Sequence, residues 1–261
     1  MFRDLLESMP LGGVFLMFAF LALVLYEIGF RIGRLWQSRT PEEKEGPTGM
    51  IVGSILALMA FLLAITMGMA TDRYDARRGL VLEEANSIGT TYLRAGYLPE
   101  PAATQSRDLL LEYVPLRIAP KANEDVVPLL LEADRILAEL WAIAEELAKD
   151  APESDLLGLY IETLNETIDL DTSRVVAGLY ARVPETVLLL LFIGSALTLG
   201  MVGFNAGLTG RRSPLTAIVM IVVLGAVITL VIDIDLPQSG TLTVSQQPLI
   251  QLATDLGVAP E

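Results

Sequence analysis

The chain has 261 residues, of which 52% are hydrophobic, and its formal net charge is −14. Such an acidic balance excludes a broad nucleic-acid surface, because those surfaces are basic. Cys and His are both absent, which removes thiolate nucleophiles, Cys-ligated metals and the usual general base. We therefore expect a protein that is not an enzyme, with no catalytic residue, no cofactor and no nucleic-acid partner.

Four apolar stretches are long enough to cross a bilayer, whose core of about 30 Å takes about 20 helical residues. They cover residues 11–33, 50–70, 186–208 and 215–233. This pattern predicts a multi-pass membrane protein, with the lipid bilayer as its first partner. We expect it in a bacterial inner membrane.

A polar insert, residues 71–183, separates the second and third spans and carries most of the excess negative charge. Helical periodicity over 71–98 and 153–182 predicts helices that continue both flanking spans. The predicted fold is all-α: a four-helix transmembrane protein with a helical extramembrane insert between the second and third spans. We divide the chain into residues 1–70, 71–183, 184–235 and a C-terminal segment, 236–261.

The loop charges bear on which side of the membrane carries the insert. Short loops rich in Lys and Arg face the cytoplasm, which favours an insert on the opposite side. The basic residues of the short connections are Arg31, Arg34, Arg39, Lys44, Arg211 and Arg212.

Small residues recur at spacings of three and four in the second span, at Gly53, Ala57, Ala60, Ala64 and Gly68. Such a stripe lets helix backbones approach closely, either inside one bundle or against the same helix of another subunit. Glycine-rich helices also leave room for a pore. A looser stripe in the third span consists of Gly200, Gly203, Gly207 and Gly210.

Charged residues near the membrane offer three further candidates. Glu27 precedes Arg31 by four residues, which indicates a helix pair at the membrane edge or a charge on a conduction path. Arg73, Arg77 and Glu84 share one polar seam beside an apolar one, which is typical of a bundle with a water-filled axis or of a solvated face. The alternating acids Asp233 and Asp235 are weak candidates for hard-cation binding, so we expect no firm metal site.

Three motifs resemble the bestrophin-like family, a group of four-span membrane proteins found largely in bacteria. They are "EIGFRIGR" at the end of the first span, "RYDARRGLVLEEANSIGTTYLRAGYLP" after the second and "IDIDLPQSGTLTVSQQPL" after the fourth. The family is distantly similar to bestrophins, which are oligomeric anion channels with a cytosolic insert and second helices that line the pore. The resemblance therefore implies a cytosolic insert, contrary to the loop charges.

The resemblance implies a homo-oligomeric ion channel whose second membrane helix lines the pore, with inorganic ions and other copies of the chain as partners. The candidates for pore lining or gating are Phe61, Thr66, Arg73, Arg77 and Glu84. The alternative is a membrane-anchored sensory or scaffolding protein with a helical ligand-binding domain.

Overall fold

The computed structural model describes residue 6 and residues 8–39, 48–118, 126–236 and 240–259. Within these ranges the chain forms helices and no strand, so the prediction of an all-α fold is confirmed. The helices are α1 (Leu11–Arg39), α2 (Thr48–Ala95), α3 (Ala102–Arg117), α4 (Val127–Asp150), α5 (Asp155–Leu179), α6 (Glu185–Thr209), α7 (Pro214–Asp235) and α8 (Gln247–Asp255).

Four of these helices, α1, α2, α6 and α7, are long and apolar enough to cross a membrane, as predicted. Helix α2 has 48 residues, which corresponds to about 72 Å and more than twice the thickness of a bilayer core. It continues past its apolar segment because no proline or glycine pair interrupts the helix-forming residues that follow Ala70.

The predicted continuity of the insert with the third span is wrong. Helix α5 ends at Leu179, and α6 begins only at Glu185. The break includes Pro184, which has no N–H to donate and disfavours helical geometry in the residue before it. The backbone N–H of Val183 instead donates to Asp235 Oδ1 at 2.8 Å.

The described residues divide into two compact units, a membrane unit (Met1–Arg73 and Arg182–Thr243) and a polar unit (Tyr74–Ala181 and Val244–Glu261). The C-terminal helix α8 belongs to the polar unit, where Leu249 and Ala253 are fully buried. The core of this unit includes large side chains from α3, α4 and α5 such as Tyr113, Ile136, Leu140, Tyr160 and Leu164.

In the membrane unit, α1 packs closely against α6 through glycines on both helices. A side chain at Gly203 would overlap the backbone carbonyl of Tyr26, and one at Gly207 would overlap that of Phe30. Gly29 and Gly33 of α1 meet the backbone of α6 in the same way. Dispersion between close backbones replaces the hydrophobic effect that lipid cannot supply.

Gly210, the last member of the predicted third-span stripe, has a different role. It ends α6 in the left-handed conformation, with φ of 69°, which glycine adopts without steric cost.

Candidate functional site

The stripe of small residues on the second span lies on an open face of α2. Gly53, Ala57, Ala60, Ala64 and Gly68 are all exposed, and a side chain added at Gly53 or Gly68 would meet no atom within 4 Å. Only 22% of the apolar window of α2 is buried, against 44% for α6. Within the described residues, the stripe therefore lies outside the packed interior of the membrane unit.

Two predicted pore residues of the second span lie on different faces. Phe61 is 62% exposed and stands beside the open face. Thr66 is buried and donates a hydrogen bond to the carbonyl of Leu62 at 2.8 Å. It belongs to an inner face with Val52, Met59, Leu63 and Ala70. Thr66 is therefore not part of the open face.

The polar seam that follows the span is also buried, except that Arg73 at its beginning is half-buried. Arg77, Glu84, Ser87 and Thr91 lie inside the polar unit. The hydroxyls of Ser87 and Thr91 both hydrogen-bond Thr167 of α5, at 2.8 Å and 3.1 Å. Partners from the neighbouring helices, rather than water, therefore satisfy these groups.

Glu84 is the centre of a buried ion-pair network. Arg117 Nε donates to Glu84 Oε1 at 2.6 Å, and Arg174 donates to Glu84 Oε2. Arg117 Nη1 lies 2.7 Å from Asp171 Oδ1, to which the Tyr113 hydroxyl also donates, at 3.1 Å. The two carboxylates and the two guanidinium groups have opposite charges that cancel. Charged side chains need such pairing when they are buried away from water.

The network connects α2, α3 and α5 with the C-terminal segment, since Arg174 Nη2 donates to Gln246 Oε1 at 2.8 Å. Glu84 is fully buried. Its ion pairs therefore connect the helices of the polar unit, and neither Glu84 nor the buried Arg77 lies on an exposed face.

Burial raises the pKa of the Tyr113 hydroxyl well above its ordinary value, and the charge of Arg117 offsets this only in part. Burial lowers the pKa of the Arg117 guanidinium, but Tyr113, Glu84 and Asp171 outweigh burial and raise it. The phenol is therefore neutral and the guanidinium charged throughout the physiological range.

We expect the polar unit to lose stability in alkali because Tyr113 must stay protonated in the folded state. The stability that Tyr113 adds to the folded state is complete below the tyrosine pKa of the unfolded chain, about 10, and is lost as the pH rises beyond that value. The midpoint temperature of thermal unfolding should therefore fall less steeply between about pH 8 and pH 11 for Tyr113→Phe than for the wild type. Tyr97→Phe, at an exposed position, is the control. Equal slopes for all three proteins would contradict this prediction.

The Glu27–Arg31 pair forms as a hydrogen bond of 2.9 Å between Arg31 Nε and Glu27 Oε1. The structure adds a second arginine that the sequence did not link to this pair. Arg212, from the connection between α6 and α7, donates to Glu27 Oε2 at 2.6 Å and lies over the Phe30 ring at 5.1 Å. Glu27 thus joins α1 to that connection.

Asp233 and Asp235 hold chain segments within the membrane unit. Asp233 Oδ1 accepts the backbone N–H of Thr241 at 2.6 Å, and its other oxygen accepts the Thr241 hydroxyl. Asp235 Oδ1 accepts the N–H of Val183. Both side chains are buried, and within the described residues no group of three or more acidic side chains is arranged to hold a metal ion.

Sequence reasoning missed the partners of Glu84, because Arg117 and Arg174 are 33 and 90 residues away along the chain. The only available signal was the spacing of three between Asp171 and Arg174, which places both on one face of α5.

Four membrane-spanning helices, with a helical polar unit between the second and third, define a multi-pass integral membrane protein of the all-α class. A sequence model of the Bestrophin-like domain matches residues 16–249. The chain therefore belongs to the bestrophin-like family. Among curated proteins, none matches the sequence.

The fold is similar to that of crystal structures of a bacterial bestrophin homolog from Klebsiella pneumoniae. One has a TM-score of 0.66 and 14% sequence identity, covering 94% of this chain and 99% of that chain. A point mutant of the homolog has a TM-score of 0.65 and 15% identity, covering 91% and 98%. A structure described as a membrane protein mutant has a TM-score of 0.63 and 16% identity, covering 93% and 98%.

Proposed function

We propose that the protein is a homo-oligomeric ion channel in which the open face of α2 surrounds the axis. One observation carries the proposal: the open face has a stripe of small residues within the bilayer and acidic residues just beyond it. Asp72 and Asp75 follow Gly68 by four and seven residues, which continues the stripe along the same side of the helix, and both are exposed.

A face that met only lipid would need no small residues, since large apolar side chains suit lipid equally well. Many other exposed apolar positions of the membrane unit carry such large side chains, for example Leu190 on α6 and Val222 on α7. Small residues instead allow close approach of a second helix or leave space around an axis. Repeated copies of Asp72 and Asp75 would form acidic rings, which attract cations to a pore entrance.

Membership in the bestrophin-like family supports the same proposal, since bestrophins are oligomeric channels. The acidic rings favour cations over anions as the conducted species. Arg73, which is half-buried and lies away from the stripe, has no direct part in this arrangement.

A sensory or scaffolding protein is the second candidate, and a groove of about 500 Å³ in the polar unit favours it. The groove lies between α3 and α4, and its lining includes Gln105, Leu109, Ile143 and the carboxylates of Asp108 and Glu139. A protein of this type would bind a ligand there and would carry no current.

We expect Ala60→Leu to reduce assembly, because a larger side chain on the open face separates helices that meet there. Light scattering of the detergent-solubilised protein measures the oligomeric mass. Ala226→Leu, on an exposed position of α7, is the matched control and should assemble normally. A wild type that is monomeric under the same conditions would contradict the proposed homo-oligomer.

A further inference from the structure

An arginine patch lies at one end of the membrane unit, on side chains from two separate parts of the chain. Arg31 and Arg34 come from the last turns of α1, and Arg211 and Arg212 come from the connection between α6 and α7. All four are exposed. The patch is basic although the chain as a whole has a net charge of −14.

Chain geometry places this patch at the membrane surface. Only residues 210–213 connect α6 to α7, so this connection must lie where the two spans leave the bilayer. Arg31 lies at the same level because it shares the Glu27 carboxylate with Arg212. The backbone of Arg34 lies against Gly207, close to the end of α6. Lipid phosphates occupy this level of a bilayer.

Among the residues that the structure describes, the charges of the patch are only partly compensated. Arg31 and Arg212 share one carboxylate, so the pair retains a net positive charge with Glu27 included. Their side chains are 74% and 55% exposed, which leaves guanidinium N–H groups available to a further acceptor. Guanidinium groups bind phosphate oxygens through paired hydrogen bonds, a geometry that lysine does not offer.

Apolar side chains beside the patch complete the surface that a lipid requires. Ile28 and Ile32 of α1 are 47% and 49% exposed and would lie along acyl chains. Trp36 is also exposed, and indole rings favour the headgroup level of membranes. A free phosphate ion would gain nothing from these neighbours.

We propose that the arginine patch binds the phosphate group of an anionic glycerophospholipid, whose acyl chains lie along α1. The Glu27 carboxylate competes with the lipid phosphate for Arg31 and Arg212. Binding therefore becomes stronger when Glu27 is neutral and weaker when an arginine is lost. This site is independent of whether the protein conducts ions.

Native mass spectrometry of the full chain in detergent, titrated with phosphatidylglycerol or phosphatidylcholine, tests this site. Wild-type protein should bind phosphatidylglycerol more tightly than phosphatidylcholine. Arg34→Gln should weaken phosphatidylglycerol binding about fivefold, equivalent to about 1 kcal/mol for one arginine near an anionic surface. Glu27→Gln should strengthen it by a similar factor. Arg135→Gln, in the polar unit, is the control and should leave it unchanged.

Three results would overturn the proposal. The first is equal affinity for the two lipids, which would show that the patch does not recognise the charge of the headgroup. The second is weaker binding in Glu27→Gln, which would give Glu27 and the arginines a purely structural role. The third is displacement of phosphatidylglycerol by millimolar inorganic phosphate, which would identify a site for the free ion.

Discussion

Replacing Glu84 by glutamine is expected to destabilise the polar unit by about 3–5 kcal/mol. Among the described residues, the change leaves the carboxylate of Asp171 alone to balance Arg117 and Arg174 inside the unit. Removing one partner of a buried ion pair is costly because the remaining charge has no access to water. Few single substitutions in this chain should cost as much.

Tryptophan fluorescence can follow this unit alone, because the chain has two tryptophans and only Trp141 lies in the polar unit. Denaturant unfolding of Glu84→Gln in a Trp36→Phe background gives the change in free energy. Glu112→Gln, which removes an exposed partner of Arg135, should cost less than about 1 kcal/mol.

Charge balance can be tested in the same assay. Glu84→Gln combined with Arg174→Gln leaves one positive and one negative group, so part of the lost stability should return. A double variant whose loss equals the sum of the two single losses would show that packing, rather than charge, determines the effect.

Replacing Gly203 by leucine is expected to abolish folding of the membrane unit. The new side chain would occupy the position of the Tyr26 backbone, which belongs to α1 and cannot move without separating α1 from α6. Overpacking of a close contact commonly costs about 1–3 kcal/mol, and a clash with backbone exceeds that range. Gly203→Ala should have the same effect to a smaller extent.

Trp36 lies on α1 and reports on this unit when Trp141 is replaced by phenylalanine. Its fluorescence, with the monodispersity of the purified protein, measures whether α1 and α6 remain paired. Gly12→Leu is the matched control, because a side chain there meets no atom within 4 Å. A Gly203→Leu variant that is as stable as Gly12→Leu would contradict the packing described for α1 and α6.

The sequence allows the four spans and the all-helical insert to be predicted, because span length and helical periodicity are local properties. Local reasoning also identifies the Glu27–Arg31 pair, whose members are one helical turn apart. It fails at residues 180–184, where the helical pattern of the sequence continues but the structure has a break that includes Pro184.

Long-range pairing could not be predicted. The polar seam of α2 was interpreted as facing water because its partners, Arg117, Thr167 and Arg174, come from helices far along the chain. Polar residues on one face of a helix show the same spacing in the sequence whether they face water or buried side chains. The same limit applies to the small-residue stripes: Gly203 packs against α1 of the same chain, while Ala60 is exposed.

The most direct test of a pore around α2 uses the absence of cysteine from this chain. Ala64→Cys would place one thiol on the open face, and Val222→Cys would place one on an exposed position of α7. Current through reconstituted protein in planar bilayers is recorded before and after a water-soluble methanethiosulfonate reagent is added, and mass spectrometry confirms the labelling.

If α2 surrounds a conducting axis, the reagent blocks the current of Ala64→Cys and leaves that of Val222→Cys unchanged. A cationic reagent should act faster than an anionic one of similar size, because Asp72 and Asp75 attract it. Full labelling of Ala64→Cys without any change in current, or wild-type protein that assembles but carries no current, would contradict the proposed channel.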